Sequence, residues 1–262
     1  SLINAESGAL IETLDASHAF MQAHEGAVYL HQGESLVVTE FDLKNRTVRA
    51  QPAEVSYYTQ VKDLTDLRIL SVERRKAYGA VEVFLGRVEV TTEIVSFKRK
   101  AQLTDEVLSE EPLDLPPQRF QTVALWFDLP DGAVARINKE GLDWPGALHA
   151  AEHAAIGLLP LFAMCDRNDI GGLSTPLHPD TGWAQIFIYD AYPGGVGISA
   201  KGFDLIGELW QATLKVISEC PCQDGCPGCI QSPKCGNNNK PLDKRAAAIL
   251  LAALLKRIPK EK

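Results

Sequence analysis

The sequence has little positive charge and no long apolar run, and both shortages exclude classes of protein. Its 262 residues include 26 Lys or Arg and 34 Asp or Glu, which gives a formal net charge of -8. This charge argues against a protein that coats nucleic acid over its whole surface, while leaving room for a local basic face. The longest apolar run, 246–255, is too short to span a bilayer. No segment typical of a signal peptide opens the sequence, so we expect a cytoplasmic location.

Cysteine is scarce outside one short segment. Of the six cysteines, five lie between Cys220 and Cys235, and Cys165 stands alone in an apolar helical context. A secreted disulfide scaffold would distribute its cysteines along the fold that it staples. One tight cluster in a long chain favours metal ligands in a reducing compartment.

The spacing of apolar residues changes near residue 145. Before it, short alternating runs predict strands of a curved antiparallel sheet or partial barrel. After it, helical spacing predicts a helical half that carries a four-cysteine zinc knuckle at 220–235. The predicted fold is therefore α+β. We expect a lead-in segment from an upstream domain (1–24), a β-rich subdomain (25–144) and a helical subdomain (145–262).

Some predicted elements are specific enough to compare with a structure. The runs 67–72, 79–85 and 87–92 predict separate strands, with Gly86 as a break between the last two. Residues 105–117 contain three prolines and predict an extended connector. A closing helix is predicted from about Asp243 to Arg257.

The cysteine segment has the spacing of a metal knuckle. Its C-x-x-C turn allows two thiolates to converge on one cation at about 2.3 Å each. Four thiolates with no open position are typical of structural zinc rather than of a reaction centre. Cys220, Cys222, Cys226 and Cys229 form the compact set. Cys235 is the expected spectator, although it could replace Cys220 or Cys222.

A second candidate site is the H-x-x-E-H motif of His149, Glu152 and His153, which is the inverzincin metalloprotease arrangement. Both imidazoles would share one helix face and could bind a catalytic zinc, with Glu152 as base. A third protein ligand would be required, for which Asp166 and Asp169 are candidates. So short a motif arises by chance, and the flanking Ala and Leu residues favour a packed, hydrogen-bonded helix over a zinc metallohydrolase.

The glycine-rich segment 190–197 follows a predicted strand, as phosphate-binding loops do. It lacks the Gly-Lys-Ser/Thr ending and the G-x-G-x-x-G spacing. We interpret it as a turn that packs closely against neighbouring backbone, and we expect no nucleotide site in this chain.

Basic residues form short clusters that are separated in sequence. Such clusters are usually solvated faces. With Tyr57, Tyr58 and Phe97 nearby in sequence, they could instead line a groove that follows a nucleic-acid strand. The clusters are 74–76, 98–100, Lys234, Lys240 and 244–245.

The segment 220–229 continues into the blocks 232–237 and 241–245, and together they resemble the MrfA zinc-binding domain. That domain is the C-terminal part of the mitomycin-repair-factor family of superfamily-2 DNA helicases, which are relatives of the RecQ-four-like helicases. The likeness covers nearly the whole chain, because five further blocks resemble the family: 26–33, 115–118, 149–154, 165–171 and 189–197.

The resemblance implies an accessory domain of an ATP-dependent 3′-to-5′ DNA helicase and translocase that acts in DNA repair. RecA-like motor lobes and a winged-helix region would precede it in the same parent chain, and the motor lobes would hold the ATP and Mg²⁺. It implies structural Zn²⁺ on Cys220, Cys222, Cys226 and Cys229, with no catalytic residue in this chain. Single-stranded DNA is the implied partner, bound weakly by this part alone. The resemblance counts against the metallohydrolase, and a zinc-stabilised protein-interaction module is the other alternative.

Overall fold

The computed structural model describes residues 1–79 and 81–256. Its strands are β1 (Leu2–Asn4), β2 (Leu10–Glu12), β3 (Val28–His31), β4 (Glu34–Asp42), β5 (Thr47–Pro52), β6 (Tyr57–Tyr78), β7 (Val81–Ala101), β8 (Val107–Pro112), β9 (Gln118–Phe127), β10 (Ile170–Thr175) and β11 (Gln185–Asp190). Its α-helices are α1 (Ala16–Gln22), α2 (Asp131–Lys139), α3 (Trp144–Leu158), α4 (Pro160–Ala163), α5 (Ile198–Asp204), α6 (Ile206–Glu219) and α7 (Lys244–Leu254). Within these residues, no helix is long and apolar enough to cross a membrane.

The predicted α+β fold is confirmed. Strands β1 to β9 all precede residue 128, and six of the seven described helices follow it. The chain divides into two compact units that interleave along the sequence. Unit 1 comprises residues 1–64 and 92–118, and unit 2 comprises residues 65–91 and those from 119 onward. The interleaving arises because β6 and β7 each contribute residues to both units, whereas the predicted segments 1–24, 25–144 and 145–262 follow chain order.

Unit 1 contains a five-stranded sheet in the order β2-β1-β5-β4-β3. The strands β3, β4 and β5 pair antiparallel, as predicted, whereas β1 pairs in parallel with β5. Thus the predicted lead-in segment supplies a strand of this sheet. The core includes Leu2, Val38 and Val48, and Phe20 of α1 packs edge-on against Phe41 with ring centroids 5.3 Å apart.

Two sequence expectations for the middle of the chain are wrong. Residues 81–85 and 87–92, on either side of Gly86, belong to one strand, β7, and 67–72 lies within β6. A Cβ atom on Gly86 would collide with the carbonyl oxygen of Ser71, so this glycine allows close backbone approach rather than ending a strand. The expected connector 105–117 contains β8, which pairs antiparallel with residues 96–100 of β7.

Unit 2 packs helices against the strands β10, β11 and β9. Helix α3 begins after Asp143, whose side chain accepts a hydrogen bond from the Gly146 amide, and it packs against α6, α7 and β10. Helix α7 begins after Asp243, as the closing helix was expected to, while the expected end at Arg257 lies outside the described residues. This arrangement places the end of α6 and the start of α7 on either side of the cysteine segment.

Candidate metal centre

The four predicted thiols come together directly after α6. The Sγ atom of Cys220 lies 3.5 Å from those of Cys222 and Cys226, and the Sγ of Cys229 lies 3.5 Å from Cys222 and 3.8 Å from Cys226. A tetrahedral zinc with Zn–S bonds of about 2.3 Å requires sulfurs about 3.8 Å apart. The spacing and the donor set both fit zinc.

The local backbone explains how the thiols converge. The amides of Cys229 and Ile230 donate to the carbonyl of Cys226 at 3.0 and 3.2 Å, which closes the turn between the two cysteines. The Cys226 amide donates to the Sγ of Cys229 at 3.3 Å. Ile230 is fully buried and anchors the segment in the core of unit 2.

The cluster is electrostatically uneven. Burial opposes ionisation of Cys222, but hydrogen bonds from Lys244 and the neighbouring thiols outweigh it and lower the pKa of Cys222 to about 6. Burial raises the pKa of Cys229 to about 12, and hydrogen bonds with the other thiols add to the effect. A bound divalent cation favours the thiolate form of every ligand, which these thiols do not all reach at neutral pH by themselves.

Cys235 belongs to a different group. Its Sγ lies 3.5 Å from Nε2 of His149, and one donor atom from each of His149, His153 and Cys235 lies within 4.8 Å of the others. The structure therefore places Cys235 outside the group of four thiols.

The H-x-x-E-H motif lies on α3 with its two imidazoles on one face, as expected. Glu152 instead lies in the core against β10, where a Cβ on Gly172 would come within 2.5 Å of its Oε1 atom. Burial raises the pKa of Glu152, although a hydrogen bond with Ser174 works against the rise. The carboxyl group is thus a packed part of the α3–β10 contact.

The two acidic residues considered as a third ligand have other roles. The carboxylate of Asp169 accepts from the Asp166 amide at 2.8 Å, and that of Asp166 accepts from the Asn168 amide at 2.7 Å. Together they form a capping box around a short 3₁₀ helix, Arg167–Asp169. The third donor beside the two histidines is Cys235.

The glycine-rich segment 190–197 is held by the side-chain carboxylate of Asp190, its own first residue. Asp190 is fully buried, and its Oδ2 atom accepts from the amides of Val196 at 2.6 Å, Gly197 at 2.8 Å and Ile198 at 3.3 Å. Its Oδ1 atom accepts from the amide and hydroxyl of Ser199 at 2.7 and 2.6 Å. A carboxylate occupies the amides that a phosphate would need, so the segment is a turn, as the sequence indicated.

The cluster 98–100 is not a free basic face. Lys98 is only 9% exposed. Arg99 forms a bidentate ion pair with Glu111, and Lys100 donates to Gln60 at 3.3 Å. These three residues are therefore not a simple solvated face, and whether they line a nucleic-acid groove stays a prediction.

Several residues of the other basic clusters also have partners within the chain. Arg74 pairs with Asp204 at 2.7 Å, and both Arg74 and Lys76 lie over the ring of Phe203 at 4.6 Å. Lys234 donates to backbone carbonyls at 3.1 and 3.2 Å, and Arg245 pairs with Glu140 at 2.5 Å. Much of the basic charge therefore has an internal partner.

Sequence reasoning missed two features of this region. Lys244 was identified only as a basic residue, but it donates to the cysteine segment. Cys235 was treated as a spectator, although it lies against the histidines of α3. The sequence separation of 82 and 86 residues between Cys235 and these histidines gives no local signal, so only a tertiary structure could bring them together.

This chain is similar to a known zinc-binding domain and to parts of proteins that are named as helicases. Residues 151–230 match the family model of the MrfA Zn-binding domain. The chain is 30% identical over 223 residues to the uncharacterised ATP-dependent helicase YprA of Bacillus subtilis, which covers 84% of this chain and 29% of YprA. It is 28% identical over 260 residues to the ATP-dependent helicase HRQ1 of Saccharomyces cerevisiae, which covers 94% of this chain and 24% of HRQ1.

The structural comparison agrees with these matches. A crystal structure of the DUF1998 helicase MrfA bound to DNA is similar to this chain with a TM-score of 0.60 and 26% identity, over 97% of this chain and 33% of the MrfA chain. The chain therefore spans about a quarter to a third of the length of the helicases that it matches.

Proposed function

We propose, since this chain belongs to the MrfA zinc-binding domain family, that it is the zinc-stabilised accessory domain of an ATP-dependent DNA helicase. In this role it supports the motor and guides single-stranded DNA. The observation that carries the proposal is the four-thiol cluster. The fold that contains this cluster is similar to one third of a DNA-bound helicase, and the match covers 97% of the present chain.

The zinc ligands in this proposal are Cys220, Cys222, Cys226 and Cys229. Their sulfur spacing and their closed, four-thiolate donor set support a structural ion. Structural zinc contributes on the order of 10 kcal/mol in small zinc peptides, which is comparable to the net stability of a domain. The larger core of unit 2 softens this loss, so removal of zinc should loosen the cysteine segment first.

Limited proteolysis with and without a chelator tests this role. We expect metal removal to expose 220–235 to cleavage before the strands of unit 1 are cut, with the cut sites mapped by mass spectrometry. Protection of 220–235 that survives complete metal removal would contradict a structural ion at the four cysteines.

The parent protein in this proposal carries the remaining machinery. In this proposal RecA-like motor lobes and a winged-helix region belong to the same parent chain. The motor lobes bind ATP and Mg²⁺ and move 3′ to 5′ along DNA during repair in the cytoplasm. The present chain contributes no catalytic residue. This part of the proposal is supported by the names of two relatives, both ATP-dependent helicases, of whose length the present chain covers about a quarter. Motor motifs encoded upstream of Ser1 are the expected finding.

Binding of DNA by this chain alone should be weak. The formal net charge is -8, and several basic residues are already paired with Glu111, Asp204 or Glu140. Affinity for a nucleic-acid backbone grows with the number of phosphates neutralised, each adding about 0.7 to the salt slope for single strands. Because the net charge is negative and part of the basic charge is paired, we expect dissociation constants roughly in the micromolar range or above at physiological salt.

Fluorescence anisotropy with a labelled single-stranded oligonucleotide at two salt concentrations measures this binding. Weak, salt-sensitive binding without sequence preference is expected. Tight binding that salt does not change would contradict the account.

Replacing Cys226 and Cys229 by Ser in the intact helicase should lower DNA-stimulated ATP hydrolysis more than basal hydrolysis. Unchanged stimulation would favour the alternative, a protein-interaction module without DNA contact.

A further inference from the structure

A second group of metal-binding side chains joins α3 to the loop that follows Ile230. His149 and His153 lie one helical turn apart, with ring centroids separated by 4.2 Å, and the Sγ of Cys235 approaches them from the loop. One donor atom from each of the three lies within 4.8 Å of the others. We propose that His149, His153 and Cys235 bind a second zinc ion, separate from the four-cysteine site.

One donor-donor distance can be compared directly with that of tetrahedral zinc. Zn–S bonds of about 2.3 Å and Zn–N bonds of about 2.0–2.1 Å place a sulfur and a nitrogen ligand about 3.6 Å apart. The Sγ of Cys235 lies 3.5 Å from Nε2 of His149. This distance is within the range of both a metal edge and a thiol–imidazole hydrogen bond, so the hydrogen-bonding capacity of the group must decide between them.

The hydrogen bonds of the two imidazoles favour the metal. Nδ1 of His149 lies 2.9 Å from the carbonyl oxygen of Pro241, and Nδ1 of His153 lies 3.0 Å from that of Ile230. A carbonyl only accepts, so each Nδ1 donates to it, and a neutral ring held in this way presents the lone pair of Nε2 towards Cys235. One thiol hydrogen can serve only one of the two lone pairs. A metal ion accepts both and the thiolate, and carbonyl-oriented histidines are typical of metal ligands.

The loop is built to present the thiol. The side chain of Asn239 accepts from the Ser232 amide at 2.7 Å and donates to the Ser232 carbonyl at 3.0 Å, which closes the loop around Cys235. The backbone amide of Asn239 also donates to the Sγ of Cys235 at 3.3 Å. Amide-to-sulfur hydrogen bonds of this kind stabilise a thiolate ligand.

The two zinc sites differ in type. The four-cysteine site is closed, whereas His149, His153 and Cys235 supply three ligands and leave a fourth position open to water. The mixed nitrogen and sulfur donors select zinc among the common divalent ions. Glu152 is buried against Gly172 instead, so the motif supplies two ligands here without its glutamate as a neighbouring base. The ion would fasten the loop to α3.

Metal content per chain tests the proposal. Elemental analysis of the purified chain, saturated with zinc and freed of excess, should give two zinc ions per chain. His149→Gln and Cys235→Ser should each reduce this to one. Cys165→Ser is the matched control, since Cys165 is a free cysteine outside both groups, and it should retain two. One zinc in the unsubstituted chain, or two in both substituted chains, would overturn the second site.

Cobalt titration of the unsubstituted chain avoids any dependence on how the substituted chains fold. The thiolate-to-cobalt charge-transfer band should keep growing until two equivalents are bound, because a fifth thiolate joins with the second ion. Cys235→Ser should lose about one fifth of the final band intensity, one of five thiolate ligands. A band that saturates at one equivalent would overturn the proposal while leaving the four-cysteine site intact.

Discussion

The ammonium group of Lys244 lies 3.2 Å from the Sγ of Cys222 and donates to the carbonyl oxygens of Cys220 and Cys222 at 2.7 and 2.5 Å. Lys244 is the first residue of α7, so its side chain connects that helix to the cysteine segment. Four thiolates around a divalent cation leave two negative charges in excess, and this ammonium group offsets one of them. Desolvation lowers the pKa of Lys244, but hydrogen bonding to Cys222 outweighs this effect and raises the pKa above its usual value.

Lys244→Met should weaken zinc binding, because it removes both the compensating charge and the two carbonyl contacts. Loss of such an outer partner typically lowers metal affinity by about 10- to 100-fold. Competition with a chromophoric chelator measures the change. Lys215→Met, at an exposed position on α6, is the control and should leave affinity unchanged. Equal affinities in the two variants would show that Lys244 does not support the site.

Asp190→Asn should lower the free energy of unfolding of unit 2. The amide group cannot accept all the hydrogen bonds that the carboxylate receives from the 196–199 backbone, and it brings a donor among donors. Buried donors left unpaired cost about 1–3 kcal/mol each, so a total loss of about 3 kcal/mol is expected in urea denaturation. The exposed Asp131→Asn, in the first turn of α2, should cost less than about 1 kcal/mol. Similar losses for both would refute the role of Asp190.

Gly86→Ala should destabilise unit 2, whereas Gly132→Ala should not. A Cβ at Gly86 meets the backbone of Ser71, which cannot move without breaking the strand pair, while a Cβ at Gly132 meets nothing within 4 Å. Overpacking of this kind costs about 1–3 kcal/mol or more, and alanine in a helix is favoured over glycine by up to about 1 kcal/mol. Thermal unfolding of both variants gives the comparison. A stable Gly86→Ala chain would mean that β6 and β7 are not in such close contact.

Unit 1 should lose stability as the pH falls from 7 to 5. Burial lowers the pKa of His24, and the hydrogen bond with the Glu25 carbonyl only partly offsets this. Since the folded pKa lies below the unfolded value of about 6.5, the unfolded chain takes up the proton first, and stability falls as pH drops below that value. Denaturation across this range measures the slope.

The variant His24→Gln distinguishes the contribution of His24 to this pH dependence from that of other titratable groups in unit 1. It should flatten the slope between pH 7 and 5, because a glutamine does not titrate. The carboxyl of Glu12 also has a lowered pKa, through hydrogen bonds from Tyr29 and His31, but its effect begins only near the unfolded pKa of about 4.3. An unchanged slope in His24→Gln would assign the pH dependence elsewhere.

Local patterns predicted the elements that local forces decide. The change to helical spacing near 145 matches the start of α3 at Trp144, where Asp143 caps the helix, and Asp243 likewise caps α7. The cysteine spacing favoured the four thiols that the structure brings together, although it left open whether Cys235 replaces Cys220 or Cys222. In each case the signal lies within a few residues of the feature.

Tertiary contacts decided what the sequence could not. Gly86 looks like a strand end because glycine is a poor strand former, yet the close approach of Ser71 makes glycine necessary there. The acidic, proline-containing segment 105–117 looks irregular, but pairing with residues 96–100 makes β8 from it. Charge patterns also misled, because the acidic partner of Arg99 is Glu111 on another strand.

The separation along the chain between metal donors has a consequence for the order of folding. The four cysteines lie within ten consecutive residues, 220–229, so they can gather around an ion with little loop-closure entropy, before the rest of unit 2 has formed. The contact of His153 with Ile230 spans 77 positions, and that of His149 with Pro241 spans 92. Such non-local contacts form slowly. We therefore expect the four cysteines to gather early during folding, and the loop that follows them to dock onto α3 later.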